Sequence, residues 1–378
     1  MPYTAAAEVP LTTPLDALHR TLGGKMVPFA GYSMPVQFPL GVLKEHLHTR
    51  KAAGLFDVSH MGQADLVGDN IAVAMEELVP GELLALKPGR IRYTQLLNEN
   101  GGIVDDLMVA RPVNGASDRL HLVVNAARKD KDYALIKSIL NGRMILERKD
   151  THALLALQGP KAAGVLATFD SGCTEMPFMS FRPVMLSGAD SVVSRCGYTG
   201  EDGFEISIPT ASAAAFAQEL IDHPDVEPIG LGARDSLRLE SGLCLYGHDL
   251  DEDTSPIEAD LTWSIGKRRR AEGGFPGDER ILRELNEGPP RQRVGLKPIG
   301  RAPAREGTII ETPEGEAVGA VTSGGFGPSV GGPVAMGYVA KTYAASGTCL
   351  HLIVRGKAME AEVVAMPFFP HRYFRGVQ

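Results

Sequence analysis

The sequence predicts an α+β fold, a large mixed body followed by a small all-β domain, and three observations carry that prediction. At 378 residues the chain is too long for one compact core, so two to three domains are expected. Through residues 13–285, segments of helical and strand period alternate irregularly. They lack the regular rhythm of about thirty residues that a doubly wound parallel sheet would show. After the Glu287-Gly-Pro-Pro-Arg291 linker the character shifts to short strands divided by Gly- and Pro-rich turns, which places a separate β domain at 291–374.

In the body, helical periodicity recurs at Gly41 to Ala53, Ile71 to Leu78, Arg128 to Leu140, Pro160 to Phe169, Ala211 to Ile221 and Ile229 to Ser241. Pro160 suits a first helical position, and Thr210 suits the N-cap of the alanine-rich helix that follows it. Strand-like runs fall at Gly62 to Val67, Ile91 to Leu97, Leu107 to Val113, Leu120 to Asn125 and Ala153 to Leu157. Another follows the turn Cys196-Gly-Tyr-Thr-Gly-Glu-Asp-Gly-Phe-Glu205, where Phe204, Ile206 and Ile208 alternate with Glu205 and Ser207. In the β domain the strands are Val294 to Lys297, Thr308 to Glu311, Ala317 to Thr322, Val334 to Val339, Cys349 to Val354 and Ala361 to Ala365.

Composition narrows the function classes. Apolar residues make up 44% and charged residues 22%, ordinary values for a globular protein, and the net charge of −8 does not favour a nucleic-acid partner. No apolar run approaches the ~18 residues of a membrane helix. The start, Met1-Pro-Tyr-Thr-Ala-Ala-Ala-Glu8, has neither a secretory nor a transit-peptide pattern, and a cytoplasmic location is expected. Cys173, Cys196, Cys244 and Cys349 are widely spaced, which fits reduced thiols rather than a zinc site or a disulfide framework.

Several generic motifs are absent. Gly324-Gly-Phe-Gly-Pro-Ser-Val-Gly-Gly332 lacks dinucleotide-binding spacing and reads as a loop, and Ile265-Gly-Lys-Arg268 lacks the remainder of a phosphate loop. His46 and His48, two apart on a helix, cannot chelate one metal and read as surface or packing histidines. Ser59-His60 lacks the upstream glycine of a nucleophile elbow. The run Lys267-Arg-Arg-Arg270 reads first as a solvated face, with an anion-binding rim for an acidic ligand tail or an acidic carrier as the functional alternative.

Two blocks carry more. Glu205 leaves its strand on the face opposite Phe204, Ile206 and Ile208, while Arg234 and Arg238, four apart in Gly232-Ala-Arg-Asp-Ser-Leu-Arg238, share one side of a helix. A strand carboxylate with a helical guanidinium recognises a planar, nitrogen-rich heterocycle by paired hydrogen bonds, or forms a structural salt bridge. Asp105 and Asp106 are adjacent, so they point to opposite faces of a strand, and sequence physics does not choose between them.

These blocks, with Gly101-Gly-Ile-Val-Asp-Asp-Leu107 and Met366-Pro-Phe-Phe-Pro-His-Arg-Tyr373, resemble the T-protein of the glycine cleavage system from about Thr13 to Phe374. The resemblance implies a folate-binding body of two interleaved subdomains and a C-terminal β-barrel-like domain, packed around a central channel. It also implies a tetrahydrofolate-dependent aminomethyltransferase that takes a one-carbon unit from the lipoyl arm of H-protein. Because no electrons are transferred, the implied reaction requires no metal, flavin or nicotinamide. Residue by residue, it implies Asp106 as the catalytic acid, Glu205 and Asn125 on the pterin edge, and Arg234 in substrate binding. Tyr93 and Tyr198 would line the channel with Met61 and Trp263, and Arg293 and Tyr373 would contribute from the C-terminal domain. Two relatives of the same fold compete with this reading. A folate-dependent demethylase would use another donor, and a flavin-fused form would need a domain for which this chain has no room. A non-catalytic folate-binding accessory protein would carry a Lys-Gly-Cys-Tyr-x-Gly-Gln-Glu signature, whereas this chain has Gly242-Leu-Cys-Leu-Tyr-Gly-His-Asp249.

Overall fold

Alternating apolar side chains along extended segments dictate sheets with one buried face, and those sheets organise the chain. The computed structural model describes residues 9–114 and 118–376. A three-stranded N-terminal sheet, β1 (Leu11–Thr12), β2 (Lys25–Phe29) and β3 (Tyr32–Gln37), precedes the main one. The main sheet contains β4 (Ala53–Asp57), β5 (Gly62–Val67), β6 (Arg90–Leu97), β7 (Ile103–Arg111), β8 (Arg119–Val124) and β9 (Ile145–Arg148). It is completed by β10 (His152–Gln158), β11 (Ser180–Leu186), β12 (Ala189–Arg195), β13 (Gly203–Pro209) and β14 (Val226–Pro228). Its spatial order is β14-β4-β10-β13-β12-β11-β6-β7-β8-β5-β9. The chain therefore starts one half at β4, builds the other half with β5 to β9, and returns at β10, which gives the expected interleaving.

Each half has its own core. In one, Phe204, Ile206 and Ile208 of β13 pack on Ala213, Phe216 and Leu220 of a long helix. In the other, Leu66, Leu107, Val109 and Leu122 pack on Ile71, Met75, Ile136 and Leu140. The helices are α1 (Asp16–Thr21), α2 (Val42–Lys51), α3 (Ile71–Met75), α4 (Lys129–Ile139), α5 (Ala162–Leu166), α6 (Thr210–Ile221), α7 (Leu231–Glu240), α8 (Lys267–Glu272) and α9 (Asp278–Glu287). The C-terminal strands β15 (Arg291–Pro298), β16 (Ile309–Glu311), β17 (Ala317–Gly327), β18 (Gly332–Ala340), β19 (Cys349–Val354) and β20 (Lys357–Val364) close into a six-stranded barrel. Its interior holds Val294, Leu296, Ile310, Val321, Val339, Leu352 and Val363. The α+β class with a closed C-terminal barrel is thus borne out.

Four local expectations are corrected. Pro160 lies in the turn before α5, because the Ala162 N–H closes back on the Gly159 carbonyl and the helix begins beyond it. Thr210 is the first residue of α6 rather than its cap, and its N–H is taken by the Thr151 carbonyl. The glycine-rich Gly324–Gly332 segment is half strand: β17 runs to Gly327 and pairs with β18, the close approach at Gly324 leaving no room for a Cβ beside the Ala304 carbonyl. The basic run is not a free face. Arg268 pairs with Glu76 and Glu272, Arg269 is buried on the Glu76 and Gly274 carbonyls, and Arg270 donates to the Ile265 and Thr262 carbonyls. Only Lys267 keeps the exposed, unengaged character expected of a solvated face.

Alpha-7 locks the barrel to the body. Arg238 donates to Asp249 and Asp235 at 2.8 Å and to the Ser323 hydroxyl on β17 at 2.9 Å, while the Tyr338 hydroxyl of β18 donates to the Asp249 carbonyl at 2.6 Å. A second buried network joins α2 to the rest, with Arg50 donating to Glu201 at 2.9 Å and to Glu240 at 3.0 Å, and His46 bonded to Ser236 and Ser329. His46 is therefore fully buried packing, as one of its two expected readings had it. The C-terminal tail crosses this junction, where Arg372 N–H donates to the Gly200 carbonyl and Phe178 N–H to the Phe374 carbonyl. The tail can pass there because Gly200, at φ +76°, turns the chain where any Cβ would strike the Ser241 hydroxyl.

Candidate active site

Antiparallel pairing of β6 with β7 sets the site's first half. It places Gln95 opposite Asp106 and Leu96 opposite Asp105, so the two aspartates leave β7 on opposite faces. Asp105 is fully buried and Asp106 half-buried. Asp106 accepts a hydrogen bond from the Tyr93 hydroxyl at 2.9 Å and from Asn125 Nδ2 at 2.7 Å. Asn125, just past the end of β8, also donates to Asp105 from Nδ2 at 2.9 Å and from its backbone N–H at 3.0 Å. Desolvation, with the neighbouring Asp105 charge as the second cause, pushes the Asp106 carboxyl up to about 7. That value suits a group that must exchange a proton near neutral pH. Trp263, in the 3₁₀ turn Thr262–Ser264, stacks on Tyr93 with ring centroids 5.4 Å apart. It is 65% exposed, so it forms a rim over Asp106 and is not core.

The second half lies across from it. Glu205 sits on β13 as the alternation predicts, and Arg234 lies in the first turn of α7 with its guanidinium 4.8 Å from the Tyr198 ring centroid. No ion pair joins Glu205 and Arg234. Glu205 accepts only a weak bond from the Cys196 thiol, at 3.5 Å, and Arg234 Nη1 is buried without a hydrogen-bond partner among the described residues. Burial raises the Glu205 carboxyl, while the Arg234 charge opposes that rise. The Tyr198 hydroxyl donates to the Cys244 carbonyl while its ring lies under the Arg234 guanidinium.

The remaining residues fall into two groups. Met61 is half-buried against the apolar cluster that contains Phe56, Val58 and Ile229. Arg293 is anchored, with Nε donating to the Ala259 carbonyl at 2.9 Å and Nη1 to the Gly242 carbonyl at 3.0 Å. Tyr373 stacks on Phe178 at 4.0 Å between ring centroids, which is a packing contact of the tail. Arg238, expected beside Arg234, is turned to the barrel instead. His60 was dismissed as a serine-triad base, yet it is buried near Arg234, and burial drives its imidazole down to about 4, so it is neutral.

The comparisons with known proteins agree with this architecture. Residues 15–269 match the family model of the GCVT N-terminal domain, and residues 291–370 match that of the glycine cleavage T-protein C-terminal barrel domain. The chain belongs to the glycine cleavage T-protein family. Among members of that family, it is 47% identical over 370 residues to the mitochondrial aminomethyltransferase of Gallus gallus, covering 96% of this chain and 93% of the relative. With the mitochondrial aminomethyltransferase of Dictyostelium discoideum it shares 45% identity over 379 residues, with the same coverages. The crystal structure of the glycine cleavage system aminomethyltransferase T from Bartonella henselae superposes with a TM-score of 0.92 at 45% identity, covering 97% of this chain and all of that one. The family resemblance read from the motifs is borne out. The cytoplasmic expectation is not, because the curated relatives are named mitochondrial. It rested on residues 1–8, which lie outside the described residues. No helix among the described residues is long and apolar enough to cross a membrane.

Proposed function

We infer that this chain is a tetrahydrofolate-dependent aminomethyltransferase of the glycine cleavage system. In this reading it accepts the aminomethyl group from the lipoyl arm of H-protein, releases ammonia and forms 5,10-methylenetetrahydrofolate. The body at 13–285 binds the folate, and the barrel domain at 291–374 closes one side of the channel.

One observation carries the recognition half of this reading. A buried guanidinium nitrogen without a partner is costly, and a half-buried carboxylate whose only donor is a thiol is under-satisfied. Arg234 and Glu205 are left so although each feels the other's charge. A pterin offers ring N–H donors to Glu205 and acceptors to Arg234, so it would complete both. Asn125, Met61, Tyr198 and Trp263 then line the pterin and its linker, while Arg293 and Tyr373 hold the barrel-side wall.

In the chemical step the carbon exchanges its bonds to the amine nitrogen and the lipoyl sulfur for bonds to two folate nitrogens, so positive charge develops on it as ammonia leaves and the dihydrolipoyl thiol stays on H-protein. The ionised Asp106 carboxylate, fixed by Tyr93 and Asn125, would stabilise that charge, take the proton released by an attacking folate nitrogen and hand it to the departing amine nitrogen. Because the reactive form is the anion of a group whose folded pKa is about 7, turnover should rise with pH through that value and level off above it. Rate measurements against pH with aminomethylated H-protein check this, and a flat profile between pH 6 and 8 speaks against Asp106 as the group.

The Glu205→Ala variant tests recognition. Its folate affinity should weaken about 10- to 100-fold, as loss of a partner to buried donors costs about 1–3 kcal/mol. Its melting temperature should stay near that of the parent, because the carboxylate has no ion-pair partner to lose. Unchanged affinity in calorimetry, together with a markedly lower melting temperature, returns Glu205 to a structural role.

A further inference from the structure

Asp132 is a buried acid beside this site that the reaction as described does not use. It sits in the first turn of α4, fully buried, on the face that also carries Ile136. Neither of its oxygens has an N–H or O–H donor among the described residues. Against it stands another carboxylate, Asp105, close enough for the two to share a hydrogen bond if a proton lies between them. Two carboxyl oxygens can hold such a bond only if one group keeps its proton. Asp105 already accepts the backbone N–H and the side-chain amide of Asn125, which favours its anion. The proton therefore resides on Asp132.

The consequence reaches Asp106 through Asn125. The Asn125 amide has two hydrogens and three acceptors within reach: Asp105 Oδ1 at 2.9 Å, Asp106 Oδ1 at 2.7 Å and the Asp106 carbonyl at 3.1 Å. Where it points depends on Asp105 remaining an anion that accepts in a fixed plane. We propose that Asp132, a neutral carboxylic acid donating to Asp105, is a positioning residue for Asp106. The chain of contacts runs from Asp132 through Asp105 and Asn125 to Asp106.

The surrounding charges are consistent with this. Arg128, one turn before Asp132, favours its anion, but the guanidinium is drawn away to the Val104 carbonyl and to Glu252 at 2.8 Å. Tyr133 lies beside Asp132 on the helix, and Tyr246, facing it from the loop after α7, donates its hydroxyl to the Ile103 carbonyl rather than to either acid. Desolvation and the Asp105 charge together hold the Asp132 carboxyl up to about 10.

This inference rests on the assignment of Asp106 above, and the test separates the two. Asp132→Asn keeps a neutral donor of the same shape and should retain turnover within about threefold, with the acidic limb of its pH profile unmoved. Asp132→Leu removes the donor, so Asp105 takes up a proton and its repulsion of Asp106 vanishes. Turnover should fall about tenfold or more, and the limb should move to lower pH. An unmoved limb in the leucine variant, or an asparagine variant as impaired as the leucine one, overturns the proposal. Infrared difference spectra need neither catalysis nor a folded leucine variant. The parent minus Asp132→Asn should show a protonated carboxylic acid at neutral pH, and an ionised Asp132 there overturns the proposal whatever the fate of Asp106. If the acid is protonated but turnover of the parent is flat with pH, the Asp106 reading fails alone.

Discussion

Asp106→Asn is expected to lower turnover by about 10²–10⁴-fold while tetrahydrofolate still binds. The substitution preserves shape, and Tyr93 can still donate to the amide oxygen. What it removes is the negative charge and the exchangeable proton. Asn125 Nδ2 would then meet an amide, and one of the two side chains would have to turn over to avoid opposing N–H groups. In the proposed reading the pterin is recognised by Glu205 and Arg234 rather than by Asp106, so affinity should change by only a few-fold. Single-turnover rates and calorimetry on the same variant separate the two quantities. The companion Asp105→Asn, which turns one of the two buried oxygens accepting from Asn125 into an N–H donor, should cost more in stability than in rate. Equal rate losses in the two variants, or a folate affinity that collapses with Asp106, would remove Asp106 from the chemistry.

The difference between these neighbours shows how far the sequence could be read. Strand alternation put Asp105 and Asp106 on opposite faces and Glu205 opposite its apolar neighbours, and the β6–β7 and β10–β13 registers agree. Alternation does not say which face looks into a pocket, since that depends on the sheet order, which joins strands far apart in sequence. Asp132 was legible in part. It lies four residues before Ile136 on a helix whose inner face is apolar, and an acid on such a face is a signal of a buried partner. Its partner Asp105 could not be named without the packing of α4 on β7. Arg293 shows the reverse case. The motif resemblance implies a place for it at the site, and the structure adds that its Nε and Nη1 are bonded to the Ala259 and Gly242 carbonyls, which sequence spacing cannot reveal. Helix ends were misjudged at Pro160 and Thr210 because distant carbonyls and tight turns, rather than local caps, terminate them.

Arg234 and Arg238 share one helix and, from spacing alone, one face, yet their loss should have opposite consequences. Arg238→Met leaves the Asp249 carboxylate buried beside the Ser323 hydroxyl without its guanidinium, and such uncompensated charges cost about 3–5 kcal/mol. Because Asp249 also accepts from Thr322 at 2.6 Å and from Leu245 N–H at 2.9 Å, the strain falls on the seam between α7 and the barrel. The expected result is a lower denaturation midpoint, with the barrel losing its protection in hydrogen exchange before the main sheet does. Arg234→Met removes a buried charge whose Nη1 has no partner, so its midpoint should stay level or rise while folate affinity falls at least tenfold. Denaturant titrations and calorimetry on both variants decide the matter. If Arg234→Met proves the less stable of the two, or Arg238→Met the weaker folate binder at equal stability, then the helix has been assigned the wrong working face.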